Sequence, residues 1–273
     1  MIINHDHRFV FVHIPKCAGT TVRRPLEGLN QWQEAGHPWR REHPSLGLVD
    51  YAHMPLVVLR EHFPEAFAAV VHYQSFALVR DPYRRFASSV SERIRWEGEG
   101  LVARLSIAEL KRAVEASIAY LSRCGPSSCL PLDYIHFQHQ RDYIELDGEQ
   151  VVATVYPVER IHAFVQALKV CVGHSDPVAV QGESAPRREN AALMYRYEAL
   201  RRAHGLVAPI MARLRRVLPV SATQGLEATL YVPRDRRARG VFDSHYVRDF
   251  VESYYASDLE LYHRVAGTSK ESG

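Results

Sequence analysis

Lysine is scarce in this chain: only Lys16, Lys111, Lys169 and Lys270 stand among its 34 lysine and arginine positions. The arginine bias fits GC-rich coding and a bacterial source, and it singles out Lys16, which sits in the most unusual loop of the sequence. Cysteine is also scarce. Cys17, Cys124, Cys129 and Cys171 form no zinc-ligand spacing. Cys124 and Cys129 bracket a Gly-Pro-Ser-Ser turn that a small-loop disulfide would close, but free thiols in a reducing compartment are the plainer expectation. Long apolar runs are missing: Phe9–Ile14 is far too short to cross a bilayer, and the start MIINHDHR has no signal-peptide core. No membrane span and a cytoplasmic location are therefore expected. A net charge of +3 is too weak to argue for nucleic acid and suits an anionic small molecule. Repeats and linkers are absent as well. With 273 residues, 47% of them hydrophobic, the chain has material for one α/β domain over 1–273.

Pattern reading supplies the elements. Arg8–Ile14 is a β-branched and aromatic run stopped by Pro15, the mark of a buried strand. A loop, Pro15–Gly19, follows, and Thr20 and Thr21 suggest a helix N-cap, with Pro25 making that helix short or kinked. Leu29–Asp50 lacks periodicity and reads as an irregular surface segment. Pro55–His62 resembles a short helix. Ser75–Val79 is a second strand, and Pro82 opens a helix whose apolar side is Phe86, Val90 and Ile94. Further helices are expected over Ile107–Leu121, Glu159–Val170, Tyr195–Leu218 with a break at Pro209, and Asp243–Arg264. Val151–Val158 is a third strand, and His174–Asn190 is a loop. Strands alternating with helices predict a P-loop-like α/β fold, a central, mainly parallel sheet flanked by helices.

Strand, Pro15-Lys16-Cys17-Ala18-Gly19-Thr20-Thr21, then helix is the layout of an anion cradle. Gly19 and Ala18 let backbone N–H groups approach an oxyanion, the helix N-terminus adds partial positive charge, and Thr20 and Thr21 offer hydroxyls. It is not a Walker A loop, because lysine precedes the glycine rather than following it. On composition alone, a tight strand–helix turn that happens to hold a lysine stays an open alternative. A second strand–helix junction carries Arg80 and, about two turns into its helix, Ser88; an arginine fork with a hydroxyl suits a phosphate dianion. A strand-end ion pair of Arg80 with Asp81 is the plainer alternative. Arg84 and Arg85 are expected on a solvated helix face.

Phe11–Val22 (FVHIPKCAGTTV) resembles the 5′-phosphosulfate loop of sulfotransferases that use PAPS (3′-phosphoadenosine 5′-phosphosulfate), nearest the branch with the carbohydrate O-sulfotransferases and their bacterial relatives. Phe76–Val90 (FALVRDPYRRFASSV) resembles the same family's 3′-phosphate motif. The resemblance implies that Lys16 stabilises the leaving group at the bridging oxygen. Cys17, Ala18, Gly19, Thr20 and Thr21 would wrap the 5′-phosphate, and Arg80 with Ser88 would hold the 3′-phosphate. Ser184–Asn190 stands where relatives bring a loop to the nucleotide, which makes Arg187, with Arg188 beside it, a further candidate.

An in-line transfer to a hydroxyl benefits from a base that titrates near neutrality. His53, in the segment from Asp50 to Leu56 (DYAHMPL), resembles the family's base, and Asp50 is a candidate to orient it. His13, His37, His43, His136 and His139 are rivals, His13 being expected to point away from the loop and to be structural. His136–Tyr143 resembles a histidine/glutamine segment of the family, with His139 where proline is usual; Glu159 is expected as a cap or ion-pair residue, and Tyr254–Tyr262 as core.

The expected activity is PAPS-dependent O-sulfation of a glycan, lipid-linked sugar or small metabolite, releasing PAP, with no metal. Two other functions remain in view: a nucleotide-binding protein of the same fold without sulfotransferase activity, and a P-loop small-molecule kinase.

Overall fold

The computed structural model describes residues 1–32, 39–96, 105–125, 129–173, 193–217, 220–233 and 238–267. Ile2–Asn4 (β1) and Phe9–Val12 (β2) are buried at every position, as a strand covered on both faces requires. Gly19–Leu26 (α1) is a helix of eight residues, short as Pro25 suggests. Arg40–His43 (β3) and Gly47–Asp50 (β4) then pair antiparallel, with Arg40 opposite Asp50. Leu56–His62 (α2) and Pro64–His72 (α3) lead to Gln74–Val79 (β5) and Pro82–Trp96 (α4). Ile107–Cys124 (α5) starts at a capping box made by Ser106 and Glu109.

A short hairpin, Glu145–Leu146 (β6) with Glu149–Gln150 (β7), precedes Thr154–Pro157 (β8) and Ile161–Val172 (α6). Leu193–Tyr195 (β9), Glu198–Arg202 (α7), His204–Val217 (α8), Val220–Leu230 (α9) and Tyr231–Pro233 (β10) follow, β9 pairing with β10. Arg239–Phe242 (α10), His245–Tyr254 (α11) and Ala256–Gly267 (α12) end the described chain.

The main sheet has the order β1-β2-β5-β8, with β2/β5 and β5/β8 parallel and β1 an antiparallel edge. Helices flank it, as expected. Phe11 stands opposite Phe76 across the β2/β5 ladder, and Phe164 of α6 packs on both, at centroid distances of 5.4 and 5.8 Å. A second apolar cluster joins α4, α5 and α11 through Phe86, Val90, Leu110, Leu121 and Phe250. The register places Val12 beside Ala77. The segments leaving β2 and β5 therefore emerge side by side at the carboxyl end of the sheet, where open α/β sheets bind ligands.

Three expectations change, and the expectation of free thiols holds. Leu29–Asp50 is not wholly irregular: its end is the β3–β4 hairpin, whose turn is closed by Gly47 at φ +68°. The break expected at Pro209 falls instead at Ala203, between α7 and α8, and α8 continues through the proline. The last helix is two helices, because the chain turns at Tyr255 to bury that side chain and bond its hydroxyl to the Phe137 carbonyl at 2.8 Å. Cys124 and Cys129 are free thiols, as are Cys17 and Cys171.

Candidate active site

The first half of the site is the loop after β2. Lys16 and Ala18 both adopt left-handed backbone, φ +64° and +59°, each costing on the order of 1–3 kcal/mol outside glycine. Left-handed residues beside a helix N-terminus are a backbone form of anion-binding concavity. Three side chains hold the strained turn. Arg85 Nε donates to the Pro15 carbonyl at 3.1 Å, Arg80 Nη1 to the Lys16 carbonyl at 3.2 Å, and Cys17 Sγ to Gln140 Oε1 at 3.1 Å. Cys17 is buried, which pushes its thiol up to about 11; its side chain is an anchor facing the core. Gly19 has a packing reason: a Cβ there would lie 1.6 Å from His13 Nε2. The His13 ring thus rests on the loop, against the expectation that it points away.

Lys16 meets a partner that sequence reasoning missed. Its Nζ donates to Glu92 Oε2 of α4 at 2.8 Å, and Arg95 Nη1 reaches the same oxygen at 3.0 Å. Burial pushes the Lys16 ammonium down and Glu92 opposes it. Burial of Glu92 works against its charge, but Lys16, with Arg95 and Trp96, outweighs that, and together they hold the carboxyl below its usual range. The available signal was spacing. Glu92 lies four residues after Ser88, on the same face of α4.

Arg80 follows β5 directly. Its backbone N–H donates to Gln140 Oε1 at 2.8 Å and its carbonyl accepts from Gln140 Nε2 at 2.9 Å, so Gln140 joins both junctions. Asp81 caps α4 by accepting the Tyr83 N–H at 2.8 Å. Ser88 is half-buried, one turn before Glu92. Thr20 and Thr21 occupy the first turn of α1. Arg187 and Arg188 lie outside the described residues.

Arg85 is the clearest departure from expectation. Only 1% exposed, it is the buried brace of the site rather than a solvated residue, whereas Arg84 is exposed. Besides Pro15, it donates to the carbonyls of His136 and Gln138 and faces Asp258 at 3.6 Å. Asp258 of α12 is fully buried and also accepts the backbone N–H groups of Gln140 and Arg141, at 2.9 and 3.0 Å. Asp258→Ala strands the Arg85 charge and is expected to cost about 3–5 kcal/mol, read as a lowered urea midpoint.

The second half of the site is a histidine cluster. The chain turns after β4, where the His53 N–H donates to the Asp50 carbonyl at 3.0 Å. His53 Nδ1 donates to the His13 carbonyl at 3.2 Å, the only polarity a carbonyl permits, so Nε2 keeps the lone pair. Ring centroids of His13 and His53 lie 4.4 Å apart, and those of His53 and His136 5.4 Å apart. Asp50 accepts the Ala52 N–H through Oδ1 at 2.9 Å, while Oδ2 is 3.7 Å from Arg40 Nε. The Trp96 ring packs at a tilt of 51° against His136, centroids 4.5 Å apart, and lies beneath the Arg40 guanidinium at 3.3 Å. His139 is elsewhere, its ring packed against Tyr254 and Tyr255.

Burial pushes His53 down to about 4 with Asp50 opposing, and it holds His13 and His136 well below the ordinary histidine range. The Lys16 charge adds to the lowering at both His53 and His136, so the two halves form one electrostatic unit. The unfolded chain protonates these imidazoles as pH falls below about 6.5, whereas folded His53 stays neutral to about 4. Stability is thus expected to be full above pH 6.5 and to fall progressively toward pH 4. Urea midpoints across that window check this, and His136→Phe should flatten the slope.

An α/β protein with its candidate site at the carboxyl ends of adjacent parallel strands is the class that this fold defines. The sequence narrows it further: residues 1–263 match the model of the sulfotransferase family, and the chain belongs to that family. Membership makes it a transferase of sulfuryl groups. No curated protein and no solved structure gives a significant match to the chain. Among the described residues, no helix is long and apolar enough to cross a membrane.

Proposed function

We propose that this sulfotransferase uses PAPS as donor and transfers its sulfuryl group to an acceptor hydroxyl, releasing PAP. The observation that carries the reading is the meeting of Lys16, Arg80 and His53 around one loop: Arg80 bonds the Lys16 carbonyl, and His53 bonds the carbonyl of His13, three residues earlier. The strained cradle, the N-terminus of α1 and the Lys16 and Arg80 cations fit a nucleotide rich in negative charge.

PAPS supplies the sulfuryl group and the nucleotide that leaves. Gly19, Thr20 and Thr21, with the backbone of Cys17 and Ala18, hold the 5′-phosphate. Arg80 and Ser88, with Arg187, hold the 3′-phosphate. Lys16 exchanges Glu92 for the leaving oxygen, offsetting charge that develops there. His53 Nε2 accepts the proton of the attacking hydroxyl; burial keeps it neutral at physiological pH but holds it below the near-neutral range expected of a base, Asp50 opposes that lowering, and the His13 carbonyl fixes its tautomer. Trp96 and Arg40, stacked on each other beside His136, place aromatic surface and a positive charge near His53, which suits a polar hydroxyl acceptor such as a sugar.

Calorimetric titration tests the donor. PAP is expected to bind more tightly than ATP with Mg²⁺; a preference for ATP would replace this reading with a small-molecule kinase.

A further inference from the structure

Asp50, His53 and His136 each offer one ligand atom, and all three atoms lie within 4.8 Å of one another. We propose that these side chains form a transition-metal site, of Zn²⁺ type, whose occupation takes His53 out of action. Two imidazoles and one carboxylate are a donor set that suits Zn²⁺ and related cations, with a fourth position left for water. Separations of up to 4.8 Å are within reach of a coordinated set by small side-chain movements.

The surroundings favour binding in a second, independent way. A metal-bound histidine usually donates its other ring N–H to a carbonyl or carboxylate, which orients the ring. His53 has that arrangement, Nδ1 to the His13 carbonyl at 3.2 Å, leaving Nε2 for an ion. Asp50 Oδ1 is fixed by the Ala52 N–H at 2.9 Å, leaving Oδ2. The His136 backbone is pinned by Ser89 Oγ, which donates to its carbonyl at 2.7 Å. Positive charge opposes a cation here: the Lys16 and N-terminal charges act on His53, and Arg40 Nε, 3.7 Å from Asp50 Oδ2, competes for that carboxylate. Arg40 is the one placed against a ligand atom, and its removal should tighten binding.

The binding half of the proposal stands on this geometry; the inhibitory half rests on His53 as base. The test uses the full chain, freed of metal with a chelator. Zn²⁺ is titrated against a chromophoric competitor, and Co²⁺ is followed by its visible bands. One metal per chain is expected, weakened at least about tenfold by His136→Asn and tightened by Arg40→Gln. Absence of binding, or binding that neither variant changes, overturns the site. PAPS turnover is then measured in the same samples. Loss of turnover in proportion to occupancy supports the inhibitory role, and unchanged turnover with the site filled overturns it. If the metal-free chain never turns over, the proposed function fails instead, and the metal titration still decides the site.

Discussion

Lys16→Met is expected to lower kcat by about 10²–10³-fold, the cost typical of removing one donor aimed at developing charge. Affinity for PAP should fall much less, because the product no longer carries the bond whose breaking Lys16 assists. The split between kcat and binding is the informative readout. Glu92 complicates the single variant, since removing Lys16 leaves a half-buried carboxylate facing the donor. The double variant Lys16→Met/Glu92→Gln separates the effects. If Lys16 stabilises the leaving group, the double variant stays as slow as the single one; recovery of rate would mean that Glu92 repulsion caused the loss.

His53→Ala is expected to lower kcat by about 10²–10⁴-fold, the usual range for a positioned general base, with PAP affinity retained. Its pH signature comes from burial. Because folded His53 stays neutral until pH falls to about 4, the wild-type rate should hold through mildly acid pH and drop only near that value. An acid limb near the ordinary histidine value would point to a different base. Initial rates from pH 4 to 8, with unfolding monitored in parallel, distinguish these results.

What could be read from the sequence follows a physical line. Features written in local chemistry were legible: the strand before Pro15, the helix opened by Pro82, the phosphate-like loop, and the Phe86, Val90 and Ile94 face. Features made by distant partners were not. Arg85 looked like one more charge in a basic helix, and only the fold brings it against Asp258, 173 positions later, and the Pro15 carbonyl. Gln140 lay in the histidine/glutamine segment that resembles the family's, but nothing local says that it ties Arg80 to Cys17. Glu92 had spacing as its sole signal. His13 was misjudged because strand alternation says nothing of the glycine onto which the ring folds. The β3–β4 hairpin escaped because its strands are short and largely half-exposed or exposed, β3 being polar throughout, without the alternation that marks a buried strand.

Glu92 also alters the resting site. Lys16 is not a waiting cation: it is paired, so a ligand that takes it must compete with a carboxylate already in place. The exchange leaves Glu92 with Arg95, which bonds the same oxygen.

The most direct test of the account is transfer from PAPS labelled in its sulfuryl group, run over a panel of hydroxyl acceptors that includes glycans. The account predicts labelled product formed in step with PAP, and its near-complete loss in both Lys16→Met and His53→Ala. Tight PAP binding with no label moved to any acceptor would contradict it, leaving a cradle that binds the nucleotide without using it.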